Sequence, residues 1–383
     1  MTIYQDNKDY CWMDRALALA RRGEGCTRPN PPVGAVAVRE GRLLGEGFHA
    51  RAGLPHAEVE ALNACRESPR GATLYVTLEP CCTHGHTPPC TDLLISSGIA
   101  RVVVGCPDPN PRHASRGFHI LHDAGIAVTR GVREEECLRL IEPFACRLAM
   151  GRPFVTLKLA MTLDGRIADR TGQSKWITGP EAREAVQALR RRVDAVMVGA
   201  GTVMADNPGL RCRLPDAPSA WRVVVDGRGR TPATARVCTD AWAETTVLAT
   251  SSACSDAKRR AWGRKGARVW TIPVNRDGHV NLLRLLRRLA DEGIMHLLCE
   301  GGGTLAGSLI RARLVDEYRF FYTPAVMGDT RAVSGVTGAG FTLARMPRLR
   351  IEEVSRLGAD LLVRARPTNC RWSNTEGRTC SQD

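Results

Sequence analysis

Pro55-His56-Ala57-Glu58-Val59 and, beyond a strand-like run, Glu79-Pro80-Cys81-Cys82-Thr83-His84-Gly85-His86-Thr87-Pro88-Pro89-Cys90 are the stretches from which the rest of the chain is read. One imidazole and two thiolates can hold a zinc ion and leave its fourth position open to water. A carboxylate just beyond the histidine can then move protons. The period of the apolar residues puts His56 and Glu58 at the opening of a helix over 57–65. It puts Cys90 just ahead of a second helix over 91–97, and Cys81 after a strand over 73–78. Helix N-termini carry positive potential and unpaired N–H groups, which favour thiolate over thiol. Strand ends are where α/β sheets build their sites. Two helix starts and a strand end can therefore converge on one metal. Such a centre is equipped to remove an exocyclic amine from a nucleobase-like ring by hydrolysis, with Glu58 as the proton carrier. Cys82 in place of Cys81, or an intruding His84 or His86, stays open at this level. Cys81 is preferred because it directly follows Pro80.

Around this core the pattern alternates strand and helix. Strands are expected over 33–38, 43–49, 101–105 and 126–129, and helices over 117–123 and 134–150. Such alternation argues for a sheet covered on both faces. Gly151-Arg152-Pro153 breaks the pattern, since proline disfavours helix at the residue before it. A second α/β series follows, with strands over 154–160, 195–198, 222–225, 246–249, 269–272 and 295–299 and helices over 180–192 and 282–291. The strand at 295–299 runs into Gly301-Gly302-Gly303 and another helix. Glycine after a strand lets backbone N–H groups approach a phosphate at a helix start. A tight packing turn explains the same run equally well, and it fits the dinucleotide fingerprint poorly. The tail over 367–383 is polar, lacks periodicity and is expected to be disordered.

A chain of 383 residues is too long for one ordinary core, so two domains are expected, 1–148 and 152–366. No apolar run reaches membrane-spanning length, and the N-terminus lacks the basic start and apolar stretch of a secretory signal. A cytoplasmic location is expected. The 15 cysteines are odd in number and scattered, which argues for buried thiols rather than a disulfide framework. The formal net charge of +14 brings polyanions into question. The basic residues are spread along helices and are not interleaved with aromatic residues. A solvated helix face, or attraction of a phosphorylated small molecule, accounts for them better than a nucleic-acid groove.

With these residues in view, the chain resembles the bifunctional deaminase/reductase family of riboflavin biosynthesis. The first half carries Pro29-Asn30-Pro31-Pro32-Val33-Gly34, His49 with Ala52-Gly53, Pro55 to Val59, Glu79-Pro80-Cys81, Thr87 to Asp92 and Asp108-Pro109-Asn110-Pro111. The second half carries Lys158 to Arg166, Ser174 to Thr178, Val198 to Thr202, Ala205 to Pro208 and Glu300 to Ser308. The resemblance implies an α/β protein: an N-terminal cytidine-deaminase-like three-layer αβα domain and a C-terminal dihydrofolate-reductase-like α/β domain. It implies Zn2+ on His56, Cys81 and Cys90, with Glu58 as proton shuttle. Asn30, His49, Asp108 and Asn110 would line the deaminase pocket. Ala160, Trp176, Thr202, Asp206, Gly302, Gly303, Thr304, Leu305, Ala306, Gly307 and Ser308 would meet NADPH. Ser174, Arg190, Leu210, Arg213 and Glu300 would meet the substrate. It also implies a phosphorylated pyrimidine as substrate and a homo-oligomer as the assembly.

Lys158 and Glu300 are further expected to form a charged pair that moves protons near the reacting sugar, though such a pair can also be purely structural. Arg190 and Arg213 offer planar forked donors to a phosphate. As one of a basic run, Arg190 can equally belong to an exposed helix face. Thr83, His86 and Ser115 depart from the family, which usually has histidine, a basic residue and glycine there. A relative with a single activity on a similar pyrimidine in another pathway, or a deaminase of nucleic acid, is therefore an alternative. So is a binding module in which a fourth protein ligand, such as Cys82 or His84, closes the metal shell.

Overall fold

The computed structural model describes residues 7–84, 88–111 and 113–368. His86, Thr87 and the tail from 369 onward lie outside the described residues. The chain forms two compact units, Met1–Ala149 and Met150–Asp383.

The first unit runs α1 (Asn7–Ala20), β1 (Gly34–Arg39), β2 (Arg42–Phe48), α2 (Ala57–Asn63), β3 (Thr73–Leu78), α3 (Cys90–Ser96), β4 (Arg101–Cys106), α4 (Arg116–Asp123), β5 (Ala127–Arg130) and α5 (Glu134–Met150). Its five-stranded sheet has the order β2-β1-β3-β4-β5. β1 is antiparallel to β2 and β3, while β3, β4 and β5 run parallel. Side chains alternate across a strand, so each strand serves two cores. Ala35, Ala37, Leu74, Val76, Val102 and Val104 pack with Ala57 and Ala61 of α2, Leu94 of α3 and Leu121 of α4. Val36, Val38, Tyr75 and Val103 pack on the other face with Met13, Ala16 and Leu17 of α1 and Ile141 of α5. The result is three layers. Polarity near the N-terminus conceals α1, whose buried face (Met13, Ala16, Leu17, Ala20) has helical spacing. A Cβ on Gly45 would lie 2.3 Å from the Ala61 carbonyl, and one on Gly47 2.5 Å from the Ala61 amide. These bare positions on β2 let α2, which carries His56 and Glu58 at its start, lie directly on the sheet.

The second unit begins with β6 (Phe154–Thr162), β7 (Arg166–Ala168), α6 (Pro180–Arg192), β8 (Ala195–Gly199), α7 (Ala200–Asp206) and β9 (Trp221–Val225). It continues with α8 (Arg236–Thr239), β10 (Thr246–Thr250), α9 (Asp256–Gly263), β11 (Arg268–Thr271), α10 (Leu282–Asp291), β12 (His296–Cys299) and α11 (Gly303–Arg311). It ends with β13 (Glu317–Thr323), β14 (Val333–Ser334), β15 (Leu349–Leu357) and β16 (Asp360–Pro367). The nine-stranded sheet has the order β11-β10-β9-β8-β12-β6-β13-β16-β15. It is parallel except where β16 joins β13 and β15. α10 shows the logic most plainly. Leu282, Leu285, Leu286 and Leu289 are buried while Arg284, Arg287 and Arg288 face outward, and the Asn281 side chain caps the Arg284 amide at 3.1 Å. The opposite face is covered by Leu189 of α6, Val203 of α7, Val237 of α8 and Trp262 of α9. The sequence reading did not place α9, β13, β15 or β16. β15 is a charge-rich strand at the sheet edge, and β16 beside it has only the short apolar run Leu361-Leu362-Val363 to mark it.

Candidate active sites

His56 is the N-cap of α2, Cys90 is the first residue of α3, and Cys81 lies past the end of β3. The fold brings one ligand atom from each to within 4.8 Å of the others. His56 Nδ1 is 3.3 Å from Cys90 Sγ and 3.5 Å from Cys81 Sγ. Tetrahedral zinc with ordinary Zn–N and Zn–S bonds requires an N···S edge of about 3.6 Å, so the three atoms fit one face of that tetrahedron. The donor set, imidazole plus two thiols, suits zinc. Among the described residues no fourth His, Cys, Asp or Glu joins the group. Cys82 instead sits 3.7 Å from His113 Nδ1, and His84 is exposed.

Of the two thiols, Cys81 is the one drawn toward thiolate. The hydrogen bond from the Cys90 thiol, helped by His56 and the Cys90 amide, draws Cys81 well below the usual thiol value against the effect of burial. Cys90 is pushed up by that same shared proton and by burial. His56 is raised, chiefly by Cys81. Glu58, 4% exposed in the first turn of α2, is raised to about 7, first by burial and then by the charge of Cys81. A carboxyl at that value both accepts and donates a proton near neutrality.

The other expected residues surround this group. Asn30 Nδ2 is 3.3 Å from His49 Nε2, and His49 Nδ1 is 3.0 Å from the Pro55 carbonyl. With the amide donating to Nε2, the ring proton sits on Nδ1 and donates to Pro55. His49 is only 2% exposed and meets the His56 ring edge-on at 5.4 Å. It thus stands behind Asn30 and His56. Asp108 and Asn110 share a loop after β4, where Asp108 Oδ1 accepts the Asn110 amide at 2.8 Å. Ser115 takes φ 64°, the left-handed region that glycine enters without cost. Glu79, read only as part of its motif, is a buried acid that this loop surrounds.

In the second unit a cavity of about 1670 Å³ opens at the C-terminal ends of β6, β8, β9 and β12. That exceeds the usual upper range of about 1,000 Å³ for a single-ligand pocket, leaving room for two ligands side by side. Lys158, Ala160, Ser174, Trp176, Arg190, Thr202, Asp206, Leu210, Arg213, Glu300, Gly302, Gly303, Thr304, Leu305 and Ser308 all line it. Ala306 and Gly307 do not. Ala306 lies in the core, and a Cβ on Gly307 would fall 2.0 Å from the Thr337 carbonyl. Consecutive helix positions cannot all face one ligand, which is why the expected run of contacts is interrupted. Asp226, Arg228 and Arg230 also line the cavity, just past β9. The preference of α/β sheets for sites at strand ends was the signal for them.

The expected Lys158–Glu300 pair is part of a larger group. Glu300 is gripped by Arg190, with Nε–Oε1 at 2.5 Å and Nη2–Oε2 at 2.7 Å. Arg190 Nη1 also donates to the Arg211 carbonyl at 2.9 Å. Burial alone would raise Glu300, but Arg190 and Lys158 override it and its pKa is lowered. Lys158 is lowered, first by burial, with the Arg190 charge adding to it and Glu300 opposing. A lysine so placed gives up its proton more readily than one in water. Across the cavity Ser174 Oγ donates to Asp206 Oδ1 at 3.1 Å, and Arg183 lies over the exposed Trp176 ring at 4.8 Å.

Comparison with known proteins covers both units. Residues 153–363 match the family model of the RibD C-terminal domain, and residues 6–106 match that of the cytidine and deoxycytidylate deaminase zinc-binding region. The riboflavin biosynthesis protein RibD of Bacillus amyloliquefaciens is 42% identical over 93% of this chain and 95% of its own. That of Escherichia coli is 40% identical over 93% and 98%. A solved structure of Acinetobacter baumannii RibD is 38% identical, covers 94% of this chain and 99% of its own, and superposes with a TM-score of 0.84. The Thermotoga maritima structure described as a diaminohydroxyphosphoribosylaminopyrimidine deaminase/5-amino-6-(5-phosphoribosylamino)uracil reductase is 38% identical over 94% and 99%, with a TM-score of 0.83.

Proposed function

The chain belongs to the bifunctional deaminase/reductase family of riboflavin biosynthesis, and from that premise we propose how its two sites divide the work. It is an enzyme with deaminase and reductase activities in riboflavin biosynthesis. The first removes the 2-amino group of 2,5-diamino-6-ribosylamino-4(3H)-pyrimidinone 5′-phosphate by hydrolysis. The second reduces the ribosyl side chain to give 5-amino-6-(5-phosphoribitylamino)uracil. The observation that carries this reading is the convergence of His56, Cys81 and Cys90 beside buried Glu58, in a chain whose relatives match it across both units. A single-activity relative or a nucleic-acid deaminase is not favoured by those matches.

His56, Cys81 and Cys90 would hold the zinc ion. Zinc bound there supplies Lewis acidity and lowers the pKa of water in its open position. Glu58 takes a proton from the attacking water and hands it to the ring nitrogen. It then takes the second proton from the hydroxyl now on the ring carbon and passes it to the departing amine, so that the C–N bond breaks, ammonia leaves and the carbon keeps a carbonyl oxygen. Asn30, fixed by His49, and the loop of Asp108 and Asn110 orient the pyrimidine.

In the second unit NADPH would be the hydride source, and Gly302–Leu305 and Ser308 with Ala160, Trp176, Thr202 and Asp206 would hold it. Ser174, Leu210, Arg213 and the Arg190–Glu300 pair meet the substrate. Lys158, with its lowered pKa, donates a proton to the sugar ring oxygen as the ring opens. We assign the deaminase to residues 1–148 and the reductase to 152–366, and place the enzyme in the cytoplasm as a homo-oligomer. Among the described residues no helix is long and apolar enough to cross a membrane.

The test incubates purified protein with the diaminopyrimidine phosphate, with and without NADPH, following ammonia release and NADPH oxidation separately. Ammonia release without NADPH, and NADPH oxidation once the deaminated product is present, are expected. Absence of both overturns the assignment.

A further inference from the structure

We propose that Glu79 is the positioning residue of the deaminase site, clamping the substrate loop after β4 to the segment that carries a metal ligand. The inference rests on the reading above that Asp108 and Asn110 meet the pyrimidine.

Glu79 lies between the end of β3 and Cys81 and is 3% exposed. A buried carboxylate is costly unless its lone pairs are satisfied. Here they are satisfied by backbone N–H groups of the loop. Oε2 accepts from Asp108 at 3.1 Å and Ser115 at 3.1 Å, and Oε1 accepts from Gly117 at 3.0 Å. One carboxylate therefore ties the entrance of the loop, its turn and the first turn of α4. The Glu79 amide itself donates to the Cys106 carbonyl at 3.0 Å, which fixes the clamp to β4.

A second contact holds the two segments together. The His113 ring lies 3.7 Å from Cys82 Sγ and 3.5 Å from Thr83 Oγ1. At Gly117 a Cβ would come 2.6 Å from the Pro80 carbonyl and 3.2 Å from Glu79 Oε1, so the helix start is seated directly on Glu79-Pro80. The left-handed turn at Ser115 lies between its own N–H and that of Gly117, both of which meet the carboxylate. Substrate contacts and metal ligand are thus set from one point, and Glu79 acts through the loop without touching the reacting atoms.

The test compares full-length Glu79→Gln, Asn110→Ala, Asp108→Ala and the double variant Glu79→Gln/Asn110→Ala. Zinc content, deaminase kcat and KM, and reductase turnover on the deaminated product are measured for each. An amide at position 79 loses acceptor capacity on one side, so KM for the pyrimidine phosphate should rise about tenfold or more, with kcat changing less. Zinc content and reductase turnover should stay as in the parent protein. The double variant should have a KM no worse than about that of the poorer single variant, because both changes act on one contact. Gly117→Ala displaces the same loop from the same carboxylate and should reproduce the KM increase if Glu79→Gln does not fold. Raised KM in Asn110→Ala and Asp108→Ala, with parental KM in Glu79→Gln, overturns the clamp and leaves the substrate reading intact. Parental KM in both loop variants overturns the substrate reading and the clamp with it. Lost zinc with unchanged KM in Glu79→Gln reduces Glu79 to a support for Cys81 and also overturns the proposal.

Discussion

Arg190 and Glu300 meet as two parallel forks, 2.5 and 2.7 Å apart, with their side chains 15% and 9% exposed. A charge pair this sheltered loses far more from removal of one partner than from replacement of both. Arg190→Met should therefore destabilise the second unit by about 3–5 kcal/mol, the range for breaking a buried pair. It should also abolish NADPH oxidation. Urea unfolding checks the first outcome and turnover of the deaminated product the second. Parental stability in this variant would show that the pair is solvated.

Glu58→Gln keeps the shape of the side chain and removes its ability to carry a proton. Ammonia release should fall by about 10²–10⁴-fold, the usual contribution of a positioned acid/base group. Zinc content and reduction of supplied deaminated product should be unchanged. Loss of both activities from this one change would contradict independent sites.

A strong chelator should stop ammonia release and spare NADPH oxidation on the deaminated product, since the cluster of His56, Cys81 and Cys90 belongs to the first unit only. Zinc should restore the first activity. Restoration should be weaker in acid, because the ligands must lose their protons to bind. If the chelator stops NADPH oxidation equally, the metal has a role in the second unit as well.

His296, at the start of β12, is held neutral because burial lowers it to about 4, with Thr156 Oγ1 2.9 Å from its Nε2. In the unfolded chain a histidine titrates near about 6.5. Above that value neither state carries the proton. Between it and about 4 only the unfolded state takes one up, so stability falls as pH drops through this window, by up to about 1.4 kcal/mol per pH unit. The urea midpoint should therefore decline from pH 7 to pH 5 more steeply in the parent than in His296→Gln. Equal slopes would show that another group dominates.

Local pattern made a large part of the molecule legible. The short β-rich runs at 33–38 and 73–78, the break at Gly151-Arg152-Pro153 and the leucine spacing of 282–289 all mark elements found in the fold. β15 escaped because an edge strand rich in Arg and Glu resembles a loop in composition, and β16 because its apolar run is only three residues long. The run Gly302–Ser308 points at the cavity, but its inner members Ala306 and Gly307 turn to the core.

By itself the sequence determined the chemistry available: an imidazole, two thiols and a carboxylate at spacings that open helices or end a strand, and a glycine run after an apolar strand. Those are consequences of short-range periodicity, which the chain carries in its own order of residues. Only the tertiary structure decided which groups act on which. It set Glu300 against Arg190, put His49 behind Asn30, and closed the loop of Asp108 and Asn110 on Glu79. Such pairings join residues far apart in the chain, and they depend on the order in which strands stand side by side and on how closely helices lie over them.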